Sequence, residues 1–234
     1  MKQTRLGIWI AAIKERCLLD GYYKATYSGV GVHIDMVDTG IQSDHKEFLT
    51  ADSSTSKVVS GGYSYDGTNN TEDCEGHGTA TASLAAGITI GSAPNATLHA
   101  IRACACDAVD INIDACSASL GSSAYVETVG AAQIENIIAP YTSTRKCINL
   151  YAPGTQVYCA NIASSYQRIT CTSMACPIVS GIIAQYLEYN KTLTTYDVTD
   201  TLYGSHTRGN VMMGRGDVGQ RHWFIFPHNM ICYC

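Results

Sequence analysis

The chain predicts an α/β fold, with helices packed on a sheet and a polar site at the carboxyl ends of the strands. Three observations carry that expectation. Glycine-bounded, β-branched runs alternate with alanine-rich or apolar helix-like runs, as strands and crossover helices do. Polar and titratable residues stand where the strand-like runs end. The 234 residues are 46% hydrophobic and only 15% charged, enough apolar material for one sizeable core, and one domain over 1–234 is expected.

The elements follow in order. GVGVHIDMVDTGI (29–41) reads as a buried strand that delivers Asp38 at its end. Residues 42–70 are polar and rich in Gly, Ser and Asn, so loops are expected around a short strand in KVVSGGYSY. DCEGHGTATASLAAGI (73–88) sets His77 between glycines ahead of an alanine-rich helix. ATLHAIRAC (96–104) is a second strand candidate, and AYVETVGAA (124–132) and KCINLYAPG (146–154) are two more. PIVSGIIAQYLEY predicts a buried helix over about 174–190, with proline in the first turn where its missing N–H costs nothing. A weaker helix is expected near 195–203 after Thr194 and Thr195, and the tail 204–234 shows no periodicity.

Charge and composition exclude some functions. The net charge is −5 with no Lys/Arg cluster, so no nucleic-acid surface is expected. No stretch approaches the roughly 20 apolar residues of a membrane span. MKQTRLGIWIAAIKER (1–16) has too short an apolar run for a secretory signal and no small-residue cleavage site after it, so it reads as part of the folded domain. Eleven cysteines leave both a disulfide and a buried-thiol reading open, and Asn-x-Ser/Thr triplets at Asn69, Asn95 and Asn190 lean towards a secretory route.

Three segments hold residues whose chemistry fits together. Asp38 in Asp-Thr-Gly is also a good turn former, His77 can cap the helix that follows, and Ser173 in TSMACP can serve as an N-cap. A serine hydroxyl, however, is a weak nucleophile that needs a base. A histidine supplies one, and a buried carboxylate fixes the tautomer of that histidine. The local sequences are more specific than the residue types. VDTGIQSDHKEF, EGHGTATASLAAG and TSMACPIVSG resemble the three catalytic segments of the subtilisin-like serine proteases (subtilases, peptidase S8), in the order Asp, His, Ser. QTRLGIWIAAIKER and the stretch 128–175 are similar to the proteinase K-like group, so the resemblance covers most of 3–203.

The resemblance implies a subtilisin-like doubly wound, mostly parallel sheet with flanking helices. It implies Asp38 as the orienting carboxylate, His77 as general base and then acid, and Ser173 as the acylating nucleophile. It also implies disulfides Cys74–Cys106 and Cys116–Cys147. The first closes a loop of about 30 residues, for roughly 3–4 kcal/mol in the chain-entropy account. Such bridges imply an oxidising, extracellular compartment.

Four departures stand out. Cys171 replaces the glycine of Gly-Thr-Ser, where a side chain is expected to crowd the site. Ala80 replaces a second, non-catalytic histidine. The middle is short: DAVDIN (107–112) stands where relatives carry a substrate-binding strand, a helix and a central strand. That strand ends in the oxyanion asparagine, whose place Asp110 takes, with Asn112 two residues on. On this register SASLGSSAY (117–125) is expected to be a loop rather than the substrate strand. The shortened sheet must either close its gap or leave an apolar seam. Finally, the chain starts about where a mature enzyme would, without a propeptide.

The expected function is a secreted serine endopeptidase forming an acyl-enzyme on Ser173. The alternative is an impaired homologue that binds peptides, pro-domains or inhibitors without turnover. Protein or peptide substrates are the expected partners, a pro-domain or protease inhibitor further ones, and a monomer the expected state. No cofactor is required for the chemistry. Structural calcium is compatible with relatives of this kind, but the sequence places no ligands for it.

Overall fold

The computed structural model describes residues 26–50, 54–60, 63–64, 66–103, 118–120, 123–125, 129–133, 137–142, 148, 150–204, 207–208 and 223–224. Residues 1–16, Cys106, Asp110, Asn112, Cys116 and Cys147 lie outside that set. In chain order the strands are β1 (His33–Asp38), β2 (Val58–Val59), β3 (Thr97–Arg102), β4 (Ala118–Leu120), β5 (Ser123–Tyr125), β6 (Val129–Ala132), β7 (Leu150–Pro153), β8 (Val157–Asn161), β9 (Ser165–Ile169), β10 (Thr207–Arg208) and β11 (Trp223–Phe224). The helices are α1 (His77–Ala86), α2 (Ala175–Tyr189) and α3 (Thr195–Gly204).

β1 alternates as a half-buried strand does. Ile34 and Met36 point into the core while His33 and Val37 face out. The same parity turns Asp38 inward, where it is buried. β1 pairs in parallel with β3 along its whole length, from His33 opposite Thr97 to Asp38 opposite Arg102. β2 adds in parallel to the far side of β3.

The other edge of β1 is covered as well. β4 pairs antiparallel to it, with Ile34 opposite Leu120 and Met36 opposite Ala118, and β5 folds back on β4. Residues 118–120 and 123–125 are therefore paired strands, not the loop expected from the sequence. The reason is backbone satisfaction: an unpaired edge on β1 would leave a row of N–H and C=O groups without partners. A short antiparallel strand pairs them without the crossover that a parallel strand needs.

AYVETVGAA, expected as one strand, is divided between two sheets. Its first part is β5, in the five-stranded sheet β2-β3-β1-β4-β5, and its last part is β6. β6 pairs in parallel with β7, which pairs in parallel with β11, and β10 closes a four-stranded sheet. Two short strands thus come from the tail that showed no periodicity. Strands of two residues are too short to carry a period-2 signal. Parallel pairing of β2, β3 and β1 in one sheet and of β11, β7 and β6 in the other, with helices packed on them, is the expected α/β architecture.

One apolar cluster joins both sheets. Ile34, Met36 and Leu98 come from the first, Leu150 and Ala152 from the second, and Leu84, Ile178 and Ile182 from the helices between. Burying each large aliphatic side chain contributes about 1.5–3 kcal/mol. α1 is buried from Gly78 to Ala86, and its small side chains let neighbours come close. At the crossing with α2, a Cβ on Gly181 would lie 2.4 Å from the Ala85 carbonyl oxygen. Pro177 falls in the first turn of α2, as expected. α3 begins with a capping box: Thr194 Oγ1 accepts from the Asp197 N–H, and Asp197 Oδ2 accepts from the Thr194 N–H.

Candidate active site

The end of β1, the start of α1 and the turn before α2 converge on one site. Asp38 arrives at the carboxyl end of β1. Its Oδ1 accepts from the Thr39 N–H at 2.7 Å and its Oδ2 from the Thr81 hydroxyl at 3.1 Å. His77 is the first residue of α1, and its Nδ1 lies 2.8 Å from Asp38 Oδ1 and 3.0 Å from Oδ2. A ring nitrogen against a carboxylate is the donor, so the proton sits on Nδ1 and Nε2 faces away from Asp38.

His77 does not cap α1 with its side chain. The N–H groups of that helix's first turn, which have no partner within the helix, are held by other residues. Gly78 N–H donates to Thr39 Oγ1 at 2.9 Å, Thr79 N–H to Asp73 Oδ2 at 2.8 Å, and His77 N–H to Glu75 Oε2 at 2.9 Å. Asp73 Oδ1 also accepts from the Gly76 N–H at 2.9 Å and the Thr39 hydroxyl at 2.8 Å. The Asp73 carboxylate thus ties the strand that delivers Asp38 to the helix that delivers His77. Close approach completes the tie, since a Cβ on Gly78 would lie 2.0 Å from the Gly40 carbonyl oxygen. Sequence reasoning missed Thr39, Asp73 and Thr81. An acidic residue four positions before His77 was the available signal for Asp73.

Ser173 lies in a single 3-10 turn, Thr172–Met174, immediately before α2. It is not the N-cap, which is Met174. Its buried hydroxyl lies 3.2 Å from the Cys171 thiol sulfur. Cys171 has φ −162°, extended backbone that any side chain adopts, so the residue needs no glycine there. The thiol is half-buried and interacts with the His77 imidazole.

That contact sets the electrostatics. Burial alone would lower the His77 pKa, but the hydrogen bonds to Asp38 and Cys171 outweigh it and raise it to about 10. For Cys171 the hydrogen bond from His77 leads. It outweighs burial and, with the hydrogen bond from Ser173, lowers the thiol to about 7. The Cys171 thiol is thus poised near neutral pH between its neutral and thiolate forms, beside an imidazole whose proton affinity Asp38 raises.

Of the four cysteines expected in disulfides, Cys74 is disulfide-bonded. The other three lie outside the described residues, as do Asp110 and Asn112. Among the described residues no group of three or more His, Cys, Asp or Glu side chains is gathered as a metal ion would require, so calcium is assigned no ligands. No described helix is long and apolar enough to cross a membrane.

The sequence model of the subtilase family (peptidase S8) matches residues 29–123 and 111–219. The match is in two pieces that overlap over residues 111–123. An extracellular serine proteinase of Thermus sp. (strain Rt41A) is 30% identical over 247 aligned positions, covering 81% of this chain and 59% of that protein. The alkaline serine exoprotease A of Vibrio alginolyticus is 26% identical over 270 positions, covering 92% of this chain and 49% of its own length. The chain thus spans only about half of these relatives. The crystal structure of a cold adapted subtilisin-like serine proteinase superposes with a TM-score of 0.78 at 22% identity, covering 96% of this chain and 98% of that one. That likeness shows the fold. With a family match running from residue 29 to residue 219 around the Asp38–His77 pair, the chain belongs to the subtilase family.

Proposed function

We propose that this chain is a secreted subtilisin-like serine endopeptidase of the proteinase K-like group, cleaving exposed segments of protein or peptide substrates. The observation that carries the reading is the 2.8 Å contact of His77 Nδ1 with Asp38 Oδ1, with Ser173 presented at the start of α2. In this mechanism Asp38 holds the Nδ1–H tautomer and leaves Nε2 to act. His77 takes the proton of Ser173 Oγ as the oxygen attacks the scissile carbonyl. It then returns that proton to the leaving amine, and water resolves the acyl-enzyme in a second cycle. The amino end of α2 favours the developing negative charge. Cys74, already bridged, supports an oxidising compartment. A second bridge, Cys116–Cys147, and a single domain over 1–234 belong to the same proposal.

Labelling of the folded chain by a serine-directed fluorophosphonate, beside Ser173→Ala, tests the reading. Labelling of the wild type alone is the expected result. An unlabelled but demonstrably folded wild type would overturn it and favour the peptide-binding homologue without turnover.

A further inference from the structure

We propose that Cys171 is a second nucleophile that shares His77 with Ser173, and that small-molecule disulfides and soft carbon electrophiles modify it and thereby close the serine site.

The geometry makes this more than a solitary thiol. Cys171 stands at the start of the turn that carries Ser173, its sulfur 3.2 Å from Ser173 Oγ, and interacts with the His77 imidazole, which Asp38 orients at 2.8 Å. Cys171, His77 and Asp38 thus repeat, on sulfur, the nucleophile–base–carboxylate arrangement. Ser173 Oγ, 3.2 Å from the sulfur, donates its hydroxyl to the thiolate and so stabilises the charged form further. The thiol is only partly buried, so reagents reach it. Cys159 and Cys176 are buried internal controls, and burial holds the Cys159 thiol up at about 12.

The reaction with a disulfide balances without another reagent. The Cys171 thiolate attacks one sulfur of R–S–S–R. A new sulfur–sulfur bond forms at Sγ, the old one breaks, and the second sulfur leaves as a thiolate. The proton that the Cys171 thiol had given to His77 passes to that leaving group. Cys171 is oxidised to a mixed disulfide, one RSH is released, and a thiol reductant reverses the step. An adduct on Sγ, 3.2 Å from Ser173 Oγ, crowds the serine and withdraws its base.

Modification rests on the thiol geometry alone. Closure of the serine site rests on the proteolytic reading given above. The test is peptide-mapped mass spectrometry of the folded chain at neutral pH, treated with iodoacetamide or with oxidised glutathione. Cys171 is expected to react at least about tenfold faster than Cys159 and Cys176, and about tenfold slower in His77→Ala. Reductant is expected to remove the glutathione adduct. Equal rates at Cys171 and Cys159, or a rate unchanged by His77→Ala, would overturn the proposal. Should His77→Ala fail to fold, Asp38→Asn makes the same comparison, since it withdraws the support for the imidazolium. Fluorophosphonate labelling of Ser173 is expected to stop on the glutathione adduct and to return on reduction. Labelling that persists on fully adducted protein overturns the closure. A Ser173 that never labels, even unmodified, counts against the proteolytic reading, while the alkylation rates still decide the thiol.

Discussion

Cys171 Sγ lies 3.2 Å from Ser173 Oγ, at the start of the turn that precedes α2. On the proposed reading two nucleophiles compete for one base, whose pKa is raised by Asp38 first and by Cys171 second. An imidazolium cannot accept a proton from serine, so the thiol acts against the chemistry proposed for Ser173.

Replacing the thiol is expected to release that competition. Cys171→Gly should raise the rate of fluorophosphonate labelling at Ser173 by about tenfold, a typical scale for a change in base availability. The progress of labelling with time, in wild type and variant side by side, reads it directly. A rate that stays the same or falls would show that Cys171 does not withhold His77.

The pair also predicts a pH window. The folded Cys171 thiol titrates at about 7 against an ordinary 9, so its contribution to stability is complete above pH 9 and is lost as pH falls through 7. His77 titrates at about 10 against 6.5, so its contribution is complete below pH 6.5 and is lost as pH rises through 10. The two overlap as an ion pair between about pH 7 and 10. Asp38 from β1, the Ser173 hydroxyl and Tyr141 from the segment after β6 are the other groups facing the pair. Urea midpoints of wild type and Cys171→Gly should therefore differ most in that window, and a difference flat across pH would count against the ion pair.

Asp73 is expected to matter for stability out of proportion to its surface position. Asp73→Ala removes the acceptor for the Gly76 and Thr79 N–H groups at the start of α1. The loss should be about 1–2 kcal/mol, as for other helix-capping carboxylates. Denaturant unfolding measures it, and a change within about 0.5 kcal/mol, the usual surface range, would remove Asp73 from the scaffold that joins β1 to α1.

The crossing of α1 and α2 sets a steric limit. A side chain at Gly181 must displace the Ala85 carbonyl or the Ser92 side chain, at 2.4 and 2.7 Å from the added Cβ. Gly181→Val is expected to cost about 1–3 kcal/mol or more through overpacking. A thermal melt that matches the wild type would mean that the helices slide apart freely.

Most of the strand and helix ladder was legible because each long element carries its own period. β1, β3, α1, α2 and α3 fall where alternation, capping residues and alanine runs put them. The hairpin β8–β9 drew no separate reading, because its turn uses Ala163 and Ser164 at positive φ rather than the glycine or asparagine that advertises such a turn. β4 was hidden for a different reason. A three-residue strand has no period, and the pairing of β4 with β1 reflects the open edge it covers.

The sequence by itself determined the family, the order Asp38, His77, Ser173 and the α/β class, since these rest on local motifs and on periodicity along the chain. Only the tertiary structure decided that β4 pairs antiparallel with the edge of β1 and β5 with β4. It alone decided that Asp73 and Thr39 lock strand to helix, and that the thiol replacing a glycine reaches the imidazole. These are contacts between residues far apart in the chain or side by side on a turn, and distance in space is not written in the spacing of letters. It is set by how backbone edges and buried polar groups find partners when the core closes.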